Sequence, residues 1–251
     1  MGCCEAKHDE SEDLNKIVSK AKRKLKLRSI ELKKIVFECL RNSTDLVVND
    51  KQFSTLCQSL KIEKETTDYN LIKACFDRDL MGISAVKFIT LCVLVSKAPR
   101  IEKVNTLFEI FQDKNKKLLF ERNIKLMVLN IFEIAVQDLV SEAIRMSDVN
   151  TAEILTPYKE KILYSKNLIV FYYFHFIIDT KESLTIFEFQ DYFTKPQLGV
   201  LLKPKLMRKF SYKIYKSTDV NHDIKKETFG SGEIDLLEMK SFSKRLSKII
   251  R

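Results

Sequence analysis

The chain of 251 residues has no tryptophan, three histidines, five glycines and four prolines. So little Gly and Pro leaves few residues for the tight turns of an all-β domain. Together with abundant Lys, Leu, Ile, Glu and Phe, this composition favours helices. No apolar run reaches the roughly 20 residues needed to cross a bilayer. The most apolar stretch, LIVFYYFHFII at 168–178, reads as a buried helix. No secretory signal peptide is recognisable. A phosphate-cradling Gly loop, HExxH and a nucleophile elbow are all missing, and His8, His175 and His222 are scattered, so an enzyme is not expected. No CxxC or Cys/His cluster has zinc spacing. The aromatics are mostly Phe at helical spacing, not a base-stacking platform, so nucleic acid is not an expected partner.

What is present begins with charge. The formal net charge of +10 points to an acidic counterpart, such as a protein surface or anionic lipid. Hydrophobic residues make up 45% of the chain, enough for a sizeable core. Of the six cysteines, Cys39, Cys57, Cys75 and Cys92 sit in apolar helical pattern and read as reduced core residues of a cytoplasmic protein. Cys3 and Cys4 differ. They follow Gly2 in MGCC, where N-myristoylation of Gly2 and palmitoylation of Cys3 and Cys4 would make a peripheral anchor on the inner face of a membrane. Ala6 stands where that pattern prefers Ser or Thr. A second membrane signal is available in residues 16–28, KIVSKAKRKLKLR, with seven Lys or Arg in thirteen residues. The acidic run EAKHDESED before it partly cancels its attraction to lipid. The alternative is an unmodified tail leading into a solvated helix. Either way, 1–28 reads as an N-terminal tail.

Beyond it a unit recurs: an apolar-periodic helix, a loop, and a second helix that usually opens on an apolar residue. It is read in VFECLRNSTDLVVNDKQFSTL, LIKACFDRDLMGISAVKFITL, VNTLFEIFQDKNKKLLFERNIKLM, LVSEAIRMSDVNTAEILTPYKEKIL, FYYFHFIIDTKESLTIFEFQDYF and, interrupted, STDVNHDIKKETFGSGEIDLLEM. The position that opens the second helix falls at 53, 88, 124, 160, 189 and 239, at intervals of 35, 36, 36, 29 and 50. On these residues the chain resembles the EF-hand superfamily. Its plan is calmodulin-like, with six degenerate hands as in the calbindin and secretagogin group and a first four similar to a neuronal-calcium-sensor or calaxin-type core. The resemblance implies an all-α fold of paired EF-hand helix-loop-helix lobes with short β-bridges between paired loops. The lobes would be 29–98, 99–165 and 166–251. It also implies that loop position 8, namely Val48, Ile83, Leu119, Leu155, Leu184 and Ile234, forms the bridges.

A calcium loop supplies six to eight oxygen ligands, a Gly at position 6 and a bidentate Glu at position 12. The first loop has Arg41, Leu46 and Gln52 at positions 1, 6 and 12. The second has Asp77, Asp79 and Gly82 but is one residue short before Ile83 and ends on Lys87. The third has Gln112, Lys114, Lys116, Lys117 and Asn123, with three ammonium groups that repel a cation. The fourth keeps Asp148 and Asn150 but ends on Lys159. The fifth keeps Asp179 and Glu188, with Ile177 and Lys181 at positions 1 and 5. None is expected to bind at cellular calcium levels. The sixth offers Asp219, Asn221 and Asp223, then Glu238, helped by the Ser231 side chain and the Glu233 carbonyl, as a single possible calcium site across an insertion. Its outer ligands are nineteen residues apart where a standard loop has eleven.

The expected function is a non-catalytic adaptor or structural protein. It would bind partners with amphipathic helices or acidic surfaces largely without calcium. By similarity to calaxin-type proteins, the partner would be tubulin of ciliary (axonemal) microtubules. The alternative is a lipid-anchored calcium sensor switched by 219–238.

Overall fold

Polar residues that accept from backbone N–H groups precede five of the twelve described α-helices and start them. The computed structural model describes residues 10–77, 81–178 and 181–219. In chain order these form α1 (Glu10–Arg23), a 3₁₀ turn (Lys26–Ser29), α2 (Leu32–Arg41), β1 (Val47–Val48), α3 (Asp50–Ser59) and α4 (Thr67–Lys73). Next come β2 (Phe76–Asp77), β3 (Gly82–Ser84), α5 (Ala85–Val95), α6 (Arg100–Phe111), β4 (Leu119–Phe120) and α7 (Glu121–Phe132). The chain ends its described part with a π-helical segment (Glu133–Asp138), α8 (Leu139–Arg145), α9 (Val149–Leu163), α10 (Lys166–Ile178), β5 (Ser183–Leu184), α11 (Ile186–Thr194) and α12 (Pro204–Asp219). Asn49, Thr66, Ser84, Asp148 and Thr185 cap α3, α4, α5, α9 and α11. The fold is predominantly helical, and no described helix is long and apolar enough to cross a membrane.

The strands are short and antiparallel. Val48 lies opposite Ile83 in the β1–β3 ladder, and Leu119 lies opposite Leu184 in the β4–β5 ladder. The first ladder joins the first and second units. The second joins the third unit to the fifth, across the boundary expected at 165. The expected fourth unit is not a helix–loop–helix: 149–163 is one continuous helix with Leu155, Tyr158 and Ile162 on its buried face. Asp148 Oδ1 accepts from Thr151 N at 2.9 Å, as an N-cap rather than as a first loop ligand.

One core runs through the molecule. Its centre is α5, where every residue from Phe88 to Val95 is buried, with α2, α6 and α7 packed on it. α10 lies on α7 and α11 on α6. Helix α10 covers the apolar run 168–178; Tyr173 and Ile177 are fully buried, while His175 is exposed beside the rings of Phe171 and Phe174. A second layer of α1, α8, α9, α12 and the π-helical segment closes the other side.

The basic stretch 16–28 is thus not a solvated tail: Val18, Leu25 and Leu27 are buried with it. Lys22 Nζ donates to Leu94 O at 2.8 Å and Lys26 Nζ to Lys61 O at 2.6 Å. Lys16, Lys20, Arg23 and Lys24 remain exposed on its outer face. The four cysteines described are free and buried, and burial pushes the Cys39 thiol up to about 12 and that of Cys57 to about 11.

Candidate functional site

The loops between paired helices are where the repeat would carry chemistry. Their turns are left-handed at one recurring place. Leu46 has φ of 63°, Met81 of 50° and Lys117 of 56°, each two residues before the bridging Val48, Ile83 or Leu119. A residue with Cβ costs roughly 1–2 kcal/mol there, so the surrounding loop must hold the geometry.

In the second loop this moves the frame. Counting back from Ile83, position 6 is Met81 and not Gly82, so the loop is not a residue short. Gly82 instead lies in β3, opposite Asp77, with no positive φ. A Cβ on it would fall 2.6 Å from Val47 Cγ1 and 3.0 Å from Val48 O. Gly82 is there so that two backbones can approach. Gly82→Ala is expected to lower stability by about 1–3 kcal/mol in urea unfolding, and adding Val47→Ala should recover part of the loss.

In the four loops that pair, position 12 is engaged by the loop itself or by the core. Gln52 Oε1 accepts from Asn49 N at 2.9 Å, while its Nε2 donates to Thr44 Oγ1 at 3.0 Å. Asn123 Nδ2 donates to Phe111 O at 2.7 Å, tying the end of the third loop to its start. In the same loop Asp113 Oδ1 accepts from the N–H groups of Asn115 and Lys116, both at 2.9 Å.

Glu188 retains the carboxylate a calcium loop requires, but Lys181 holds one of its oxygens through a direct ion pair. The other oxygen accepts from Thr185 N at 2.8 Å and Thr185 Oγ1 at 2.9 Å. The ammonium of Lys181, then the Thr185 bonds, hold the Glu188 carboxyl down to about 2. An ammonium from the loop itself thus supplies positive charge at Glu188.

Lys87 is turned into the core instead. Its Nζ lies 3.3 Å from Asp138 Oδ2 and 3.9 Å from Glu133 Oε2, and it donates to Ala74 O at 3.3 Å. Glu133 in turn accepts from Lys166 Nζ at 2.9 Å. This chain of charges joins α5, the π-helical segment and α10. Burial opposes the charged form of Lys87, but Asp138 and Glu133 outweigh it and raise the lysine. Burial raises the Asp138 carboxyl.

Of the six ligands expected in the last loop, only Asp219 belongs to the described residues. Asp219 is the last residue of α12. Asn221, Asp223, Ser231, Glu233 and Glu238 lie outside the described residues, as do Gly2, Cys3 and Cys4, and Asp79 and Asp179 of the second and fifth loops. Among the described residues no group of three or more His, Cys, Asp or Glu is placed to hold a metal ion.

Sequence reasoning missed one polar centre altogether. Arg208 of α12 is fully buried, with Nε donating to Asn15 Oδ1 at 2.8 Å and Nη1 to Ala135 O at 3.0 Å. Burial pushes its guanidinium down to about 10. Beside it, Glu12 of α1 accepts from Lys205, at 3.0 Å, and from Lys209. The only available signal was an Asn inside an apolar helix face.

Comparison with protein-family models, curated proteins and solved structures finds no match.

Proposed function

We propose that the chain is a non-catalytic, EF-hand-like adaptor that keeps its helices paired and binds protein partners without calcium. The observation that carries this reading is the engagement of Gln52, Lys87, Asn123 and Glu188, each bonded to its own loop or to the core where a calcium ligand would stand. Two further features support it. The bridging residues Val48 and Ile83, and Leu119 and Leu184, meet in register. The turn at Leu46, Met81 and Lys117 keeps the left-handed backbone for which a calcium loop uses Gly.

On this reading the scaffold has four paired units, one and two together and three and five together, with α8 and α9 as an insertion. The four buried, free thiols suit the reducing cytoplasm. The net charge of +10 suits an acidic protein surface, of which the tubulin lattice is one.

The test is thermal unfolding in about 1 mM calcium and in chelator. A site with a Kd near 10 μM would add about 2.7 kcal/mol at that concentration. The expected result is the same midpoint in both. A rise of more than about 5 °C in calcium would overturn the reading and favour a sensor switched through 219–238. Co-sedimentation with microtubules should likewise be unchanged by chelator. Absence of pelleting at low salt would remove tubulin as the partner.

A further inference from the structure

Positive charge collects in one groove without ion pairing to the described protein. The groove, of 490 Å³, opens between the junction of the 3₁₀ turn with α2 and the connection from α5 to α6. Arg28, Lys33 and Lys97 line it, and none of the three is ion-paired to a described residue. Glu31 and Glu102 also line it and leave those cations unpaired.

The charge continues beneath the surface. Lys22 Nζ on Leu94 O and Lys103 Nζ on Ser96 O, each at 2.8 Å, finish the C-terminal end of α5. Burial, then the like charges of Lys103, Arg208 and Arg28, push Lys22 down to about 8. Burial and Arg28 lower Lys103 as well. In both lysines burial is the larger cause, and the neighbouring cations add to it.

Two helix starts adjoin the same space. The groove is lined by Glu31, Leu32 and Lys33 at the start of α2, and by Pro99 and Glu102 at the start of α6. Neither helix has a side-chain cap, whereas Asn49, Thr66, Ser84, Asp148 and Thr185 cap five others. First-turn N–H groups and the positive ends of two helix dipoles thus adjoin the three cations. Compact tetrahedral oxyanions are the ligands such an arrangement holds. The volume is that of a small-molecule pocket, not of a peptide track.

We propose that this groove binds a small polyanion bearing several phosphate groups, with Arg28, Lys33 and Lys97 as its cationic contacts and the opening turns of α2 and α6 as backbone donors. Such phosphates belong equally to a soluble inositol phosphate and to a phosphoinositide headgroup.

Calorimetry with inositol trisphosphate tests the groove, and vesicle flotation separates the sources. The free compound is expected to bind. The triple change Arg28→Gln, Lys33→Gln, Lys97→Gln should weaken binding by about tenfold or more. The triple Lys51→Gln, Lys114→Gln, Lys213→Gln, exposed elsewhere with the same change in charge, should leave it within about threefold. The pair Glu31→Gln, Glu102→Gln should tighten it, a gain that a folding defect cannot mimic. Retention on vesicles containing phosphatidylinositol bisphosphate, but not on phosphatidylserine vesicles of equal surface charge, would assign the membrane source. Binding of the free compound alone would assign the soluble one. No heat with inositol trisphosphate, equal losses in the two triples, or equal retention on phosphatidylserine would overturn the proposal.

Discussion

Asn15→Leu is expected to cost about 3–5 kcal/mol of unfolding free energy, more than Arg208→Met at the other end of the same hydrogen bond. Arg208 is wholly buried and has no ion pair among the described residues. Its charge is held there by the Asn15 side-chain oxygen and the Ala135 carbonyl, and its Nη2 has no hydrogen-bond partner among the described residues. Removing Asn15 leaves a buried guanidinium with a single acceptor. Removing the guanidinium takes its desolvation cost away as well, and leaves only neutral acceptors unsatisfied, at about 1–3 kcal/mol. Urea unfolding at neutral pH measures both. The reverse order would show that Arg208 matters for its packing volume and not for its charge.

The pair of Lys87 and Asp138 should behave as one unit. Their side chains are 19% and 8% exposed, so each single change, Lys87→Met or Asp138→Leu, strands a charge in a poorly hydrated place. Each is expected to cost about 2–4 kcal/mol, below the figure for a fully buried pair because of the residual exposure. The double change should cost less than the sum by about 1–3 kcal/mol. Additive losses would mean that the two side chains contribute separately, Lys87 through Ala74 O and Glu133.

These two centres show where sequence reading stops. Helix-rich architecture, the buried helix at 168–178 and the burial of Cys39, Cys57, Cys75 and Cys92 follow from composition and apolar spacing, both local properties. The bridging residues came from the resemblance instead: Val48, Ile83, Leu119 and Leu184 pair as it implied, whereas Leu155 lies inside α9 and Ile234 falls outside the described residues. The fourth unit misled because Asp148 followed by Asn150 and Thr151 suits a helix cap as well as a ligand set. Only the helical face formed by Leu155, Tyr158 and Ile162 distinguishes the two. Gly82 misled in a similar way, since a glycine needed for close strand approach looks the same as one needed for a left-handed turn. The placement of α1 was not legible at all. Its basic residues suggested solvent or membrane, and it docks against α8, α9 and α12, all remote in sequence. Arg208 and Asn15 are 193 residues apart, and no periodicity connects them.

That separation has a consequence for how the molecule is made. Glu12 and Asn15 join α1 to Lys205, Lys209 and Arg208 of α12, so the first described helix completes its packing against the last. On the ribosome, α1 emerges early and its companion late. The apolar side of α1, with Leu14 and Val18, must wait through most of synthesis before its final neighbour arrives. Closing so long a loop is slow to nucleate even though its entropic cost grows only gently with length. The two helices act as a clasp that fastens late, and a chain released before α12 has emerged has a core whose seam is still open.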